Sequence, residues 1–145
     1  MKRIAIGDTV RLVLGFLPHK EHLKTLVGGL PRIVTDGRNL PATDSLPGLT
    51  AKFTETRHPR TGIGFSRYGT ILYFVTVDGR QQSSVGMSLK EFAALMIEIG
   101  CYQALNLDGG GSTTMVVEDK LVNSPSDSTG ERPVANALLV VKDKK

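Results

Sequence analysis

At 145 residues, 40% of them hydrophobic and 22% charged, the chain suits one globular domain with a single core. No apolar run approaches the ~18 residues that suggest a membrane span, and one cysteine, Cys101, excludes an internal disulfide framework. The net charge of +4 favours anionic partners weakly, while 6% aromatics without tryptophan argue against a base-stacking platform for nucleic acid. His19, His22 and His58 show no recognised ligand spacing, so no metal site and no cofactor are expected. Lys2 and Arg3 open the chain, but Asp8 and Arg11 interrupt any signal-like apolar region, so nothing in this sequence itself directs export.

In chain order, Thr9 to Leu17 is apolar enough for a strand ending at Pro18, and His19 to Val27 carries Leu23, Leu26 and Val27 at helical spacing. Gly28-Gly29-Leu30-Pro31 breaks that pattern, and Arg32 to Thr35 predicts a short strand entering an Asp36-Gly37 turn. Residues 38–56, with Pro41, Pro47 and Gly48, predict an exposed irregular loop. Arg57 and Arg60 then flank Pro59, and Ile63 to Phe65 begins a strand. Ile71 to Val77 gives the strongest strand signal, β-branched and aromatic almost throughout. Asp78-Gly79 is a hairpin signal, but Gln81 to Gly86 is no return strand.

The best helix spans Leu89 to Ile99, with Ser88 as N-cap, Glu91 completing a capping box and Gly100 as the stop. Leu89, Phe92, Ala93, Met96 and Ile99 form its apolar stripe. Tyr102 to Leu107 is a strand entering the glycine turn, after which Thr113 to Val117 leaves as a strand. A charged-tip hairpin over Val116 to Val122, a polar loop from Asn123 and a last strand over Ala135 to Val141 complete the chain. These elements predict an α+β fold on a mixed β-sheet. It contains a strand–helix–strand unit (71–77, 88–99, 102–107), with strands at both ends of the chain. Residues 1–27 belong to the same domain as 28–141, and 142–145 form a basic tail.

The stretch from Asn106 to Thr113 points to a site. Gly109, Gly110 and Gly111 permit a sharp turn and a close backbone approach, and successive amides in such a turn can form an anion-binding concavity. A P-loop is excluded because no lysine follows until Lys120, and a dinucleotide fingerprint because a strand rather than a helix follows. If the strands ending at Asp78 and Asp108 run parallel, both carboxylates lie at one edge of the sheet, where open α/β sheets place ligands. Asn106 and Asp108, and likewise Thr76 and Asp78, alternate with apolar neighbours. Two aspartates, an asparagine and Arg80 are then expected to face one cleft.

Several blocks resemble the phosphodiester glycosidase family: Pro59 to Gly64, Val77 to Arg80, Ser84 to Leu89, Ala104 to Met115, Asn123 to Asp127 and Glu131 to Asn136. The resemblance covers roughly residues 28 to 141 and implies hydrolysis of a sugar-1-phosphodiester. It implies Asp108 as the main carboxylate and Asp78 as the second. Arg60, Arg80 and the amides of Gly109, Gly110 and Gly111 would hold the phosphate; Thr61, Asn106, Ser112 and Thr113 would complete the substrate contacts. The expected partner is a carbohydrate phosphodiester, with no nucleic acid; the oligomeric state is left open. No counterpart of the family's upstream Asn-Gly/Ala-Gly-Phe-Phe segment precedes Gly28, which implies a fragment or a shortened member. Bacterial members often belong to envelope or exopolysaccharide proteins, which implies an exported parent. The alternative is a non-catalytic module binding anionic polysaccharide or sugar phosphate.

Overall fold

A computed structural model describes residues 6–7, 9, 25–43 and 48–142. The strand expected over Thr9 to Leu17 and most of the helix expected over His19 to Val27 lie outside these residues, as does most of the basic tail. The fold is α+β, and strands precede and follow its principal helix.

Strand β1 (Arg32–Thr35) turns through Asp36 (φ 53°) and Gly37 (φ 71°) into β2 (Arg38–Asn39). Two consecutive positive-φ residues match the right-handed twist of a tight hairpin. The stretch expected as a loop holds two short helices, α1 (Leu40–Thr43) and α2 (Ala51–Glu55). The overlooked signal for α2 is Thr50, whose Oγ1 accepts from the Phe53 amide at 3.3 Å. Strands β3 (Arg60–Phe65) and β4 (Leu72–Val77) follow, then helix α3 (Leu89–Glu98) and strand β5 (Gln103–Asn106).

The sheet order is β2-β1-β5-β3-β4, and every ladder of this sheet among the described residues is antiparallel. β4 and β5 do run parallel, but as next-but-one neighbours with β3 inserted between them. The expected mixed sheet is thus replaced by an antiparallel one whose parallel relation spans a strand. Insertion also brings the N-terminal end of β3 to the edge where β4 and β5 end. Past a single 3-10 turn at Gly110–Ser112, β6 (Val116–Val117) and β7 (Lys120–Leu121) form the expected hairpin through Glu118 and Asp119, both at positive φ. Residues 113–115, expected in a strand, carry none, and residues 135–142 carry no regular element in place of the expected last strand.

One face of the sheet packs against α3. Ile33, Val34, Leu89, Phe92, Ala93, Met96, Cys101 and Ala104 form the buried core, with Tyr73, Val75 and Val77 packed against it. β3 presents Gly62 and Gly64 to the helix. A Cβ on Gly62 would lie 2.7 Å from the Phe92 ring, and one on Gly64 would lie 2.6 Å from Cys101 Sγ. The missing side chains are the room that Phe92, Met96 and Cys101 fill. Cys101 is structural, and burial pushes its thiol pKa up. Four of the five residues expected in the helical stripe are buried, whereas Ile99, at the C-cap, is 38% exposed.

The ends of α3 follow from the sequence. Ser88 accepts from the Glu91 amide, and Glu91 accepts from the Ser88 amide at 2.9 Å. At the other end, Gly100 (φ 107°) donates to Ile97 O and Cys101 donates to Met96 O, each at 2.9 Å, which is a Schellman ending. Glu91 also pairs with exposed Arg57. That hydrogen bond, with the Ser88 amide next, lowers the Glu91 pKa from 4.5 to about 2. Replacing Ser88 and Glu91 by alanine is expected to cost about 1–2 kcal/mol, read from the urea midpoint. Because the folded pKa is depressed, the contribution of ionised Glu91 is present above pH 4.5 and lost as pH falls from there towards 2. Glu91→Gln should flatten stability across that window, and an unchanged acid limb would assign it to other groups.

Candidate active site

A cavity of about 640 Å3 opens at the edge where β4 and β5 end and β3 begins. Its lining includes His58, Arg60, Arg80, Asn106, Asp108 and Gly110. The size suits a small organic ligand. Gly28 to Leu30 and Phe53 also contribute to the wall. The segment before β1 is held against β5 by bonds from Leu30 N to Asn106 O (2.9 Å) and from Asn106 N to Pro31 O (3.0 Å).

Asn106 is 2% exposed. Its Nδ2 donates to Leu30 O at 2.7 Å and Leu107 O at 3.0 Å, while its Oδ1 is buried without a partner among the described residues. An unpaired buried acceptor on a residue that lines a cavity marks Asn106 as a candidate for ligand contact. Asp108 is exposed, and its Oδ1 accepts from the Gly109 amide at 2.9 Å.

Asp78 shares the sheet edge with Asp108 but is absent from the cavity lining. Register explains the difference. Gly62 pairs with both Val75 and Asn106, so those three share the helix-facing side, and Thr76 and Asp78 alternate to the other. The expectation that both aspartates face one cleft is therefore corrected. The Asp78 carboxylate accepts from Ser124 N (3.0 and 3.1 Å) and Asn123 Nδ2 (3.0 Å), anchoring the loop behind the glycine turn. Asp78→Ala is expected to cost about 1–3 kcal/mol, since it strands two donors. Amide exchange at Ser124 should accelerate; unchanged protection there would show that the loop is held otherwise.

The two arginines differ. Arg60 is 3% exposed, and its guanidinium donates to Met87 O (2.8 Å), Thr56 O (3.0 Å) and Phe53 O (3.2 Å). It ties β3 to the end of α2, although it touches the cavity wall. Burial, then the charge of Arg80, lowers its pKa. Arg80 is exposed, has φ 58°, and donates from Nη2 to His58 Nδ1 at 3.2 Å.

The glycine turn is not an open cradle of amides. Gly109 donates to Asp108 Oδ1, Gly110 to Pro59 O, Ser112 to Gly109 O and Thr113 to Gly110 O. Close packing instead accounts for the glycines. Gly110 has φ 63° and a Cβ there would lie 3.1 Å from Arg80 Nη2, while Gly111 is buried against the Asp127–Arg132 ion pair. Thr61 Oγ1 donates to buried Thr113 Oγ1 at 3.2 Å, joining β3 to the turn. Thr61, Gly111, Ser112 and Thr113 are absent from the cavity lining, whereas Gly109 and Gly110 are part of it. Sequence reasoning missed His58 because histidines were weighed as metal ligands. The available signal was its place before Pro59-Arg60, since a residue before proline is held extended. Among the described residues no group of three or more His, Cys, Asp or Glu is arranged to hold a metal ion. No helix among them is long and apolar enough to cross a membrane.

The cavity lining thus joins one carboxylate, an exposed arginine and a buried asparagine. The chain belongs to the phosphodiester glycosidase family, whose model matches residues 4–141, an earlier start than the motifs themselves indicate. It is 40% identical over 102 residues to the prophage-derived protein YomE of Bacillus subtilis, covering 67% of this chain and 15% of that one. With human N-acetylglucosamine-1-phosphodiester alpha-N-acetylglucosaminidase it shares 32% over 130 residues, 80% of this chain and 25% of the relative. The solved catalytic domain of the zebrafish enzyme of that name, auto-inhibited by its pro-peptide, superposes with a TM-score of 0.59 at 27% identity. That match covers 75% of this chain and 37% of the other. A Burkholderia pseudomallei protein described as exported matches with a TM-score of 0.50 at 53% identity, over 52% of this chain and 14% of the other. The chain thus spans a quarter or less of these curated relatives.

Proposed function

We propose that the chain carries the catalytic cavity of a sugar-1-phosphodiester hydrolase. The observation that supports this most directly is Asp108 in the lining of one cavity with Arg80 and Asn106. In this reading Arg80 holds the phosphodiester by a charge-assisted fork, and Asn106 accepts from a sugar hydroxyl. Water attacks the anomeric carbon as the bond to the phosphate oxygen breaks, and Asp108 takes the proton from that water. The products are the free sugar and a phosphomonoester. This leaving group departs as an anion, so a second carboxylate acting as acid is dispensable, unlike in most glycosidases. Asp78 positions the 123–127 loop, and Thr61, Ser112 and Thr113 support the turn from behind.

The substrate proposed is a phosphodiester of a glycan or a cell-envelope polysaccharide. The relative described as exported supports a parent protein acting outside the cytoplasm. Incubation with an aryl sugar phosphodiester or a UDP-sugar is expected to release free sugar. Tight binding of both without release would favour the non-catalytic module.

A further inference from the structure

We propose that His58 is a positioning residue that fixes Arg80 for anion capture, an inference that rests on the reading of Arg80 as the phosphate-holding group. The geometry carries it. Arg80 Nη2 lies 3.2 Å from His58 Nδ1, and a guanidinium only donates, so Nδ1 is the acceptor and carries no proton. The backbone that carries the imidazole is itself held in place. His58 N donates to Met87 O at 3.2 Å, Met87 N donates to His58 O at 3.0 Å, and Pro59 follows buried. The carbonyl of His58 also lies against Gly86, which has φ 88°.

Arg80, by contrast, is exposed and springs from a left-handed backbone position in the loop between β4 and α3. A long flexible side chain loses rotamer freedom when it binds an anion, and one already fastened has less to lose. His58 therefore supplies order, and Gly110 supplies the space in which the guanidinium lies.

The surroundings keep the acceptor available. Burial, then the charges of Arg80, Arg60 and Lys52, lower the His58 pKa below its ordinary 6.5. These cations reach it from the β4–α3 loop, from β3 and from α2, and Asp108 lines the same cavity. Neutral His58 with its remaining proton on Nε2 follows. No direct contact of His58 with the sugar is needed.

The test uses sulfate as an anion probe of fixed charge, titrated calorimetrically at pH 7.5 into the parent, His58→Ala, Arg80→Ala, the double variant and His58→Asn. His58→Ala should weaken binding about tenfold, the scale of one charge-assisted hydrogen bond. The double variant should bind no more weakly than Arg80→Ala, because His58 acts only through Arg80. His58→Asn restores an acceptor near the Nδ1 position and should recover most of the affinity. Nitrogen-15 spectra of the imidazole should place its proton on Nε2.

Binding by His58→Ala within twofold of the parent would overturn the inference. So would multiplicative losses in the double variant, failure of asparagine to rescue, or a proton on Nδ1. A parent or Arg80→Ala protein showing that Arg80 contributes nothing to sulfate binding would overturn it as well. Release of sugar from the phosphodiester is scored separately. Its absence, with these affinities as expected, removes the hydrolase reading and leaves the His58–Arg80 pair standing.

Discussion

Asp108→Asn is expected to lower turnover of an aryl sugar phosphodiester by at least about a hundredfold, the lower end of what a positioned general base supplies. Asparagine keeps the size of the side chain and an oxygen to accept from the Gly109 amide, so the turn should survive. It cannot take a proton from water. Affinity for sulfate should stay level or rise, because a negative charge has left the cavity proposed to take the anion. Turnover within a few-fold of the parent would remove Asp108 from the mechanism, and matched losses in turnover and sulfate affinity would indicate a collapsed turn. Asp78→Ala provides the contrast: its larger cost should appear in stability rather than in the chemical step.

Gly110→Val is expected to weaken sulfate binding by at least about tenfold and to abolish detectable sugar release. Two effects act together. The backbone at 110 has φ 63°, which a β-branched residue strongly resists. A Cβ there would also meet the Arg80 guanidinium, 3.1 Å from Nη2, before the valine methyls are counted. The guanidinium must then leave its place beside His58. Gly110→Ala separates the causes, since it imposes the backbone strain with less displacement. Comparable sulfate binding in Gly110→Val and the parent would show that Arg80 is not the anion-holding group.

The sequence carried most of α3 because its signals are local: Ser88, Glu91 and Gly100 act on the chain within a few residues of themselves. β1 and its Asp36-Gly37 turn were legible for the same reason. What it did not carry is the insertion of β3 between β4 and β5, which depends on pairings of Gly62 with Val75 and with Asn106 across the chain. That register, and not any local preference, turns Asp78 away from the cavity and brings His58 towards it. Asp108, Arg80 and Asn106 were expected as a group together with Asp78, and the cavity lining holds all of them but Asp78. Arg60 was not separable from Arg80 by type. Only the carbonyls of Phe53, Thr56 and Met87 distinguish a strut from a ligand-facing arginine. The amides of the glycine turn were misread likewise, since a Gly-Gly-Gly motif does not disclose that the Gly109 and Gly110 donors already have acceptors.

The placement of β3 also leads us to expect an order of events in folding. The β3–β4 ladder joins segments close in sequence and can zip early, whereas β5 reaches β3 only after the whole β4–α3 passage has closed. His58 and Arg80 belong to that early part of the chain, while Asn106, Asp108 and Gly110 arrive with the late strand. On that order the cavity is completed only when β5 docks. Pulse-labelled exchange should protect the amides of Gly62, Gly64, Tyr73 and Val75 in one phase, with those of Thr61, Ile63, Leu107 and Gly110 following; simultaneous protection would indicate a single concerted closure.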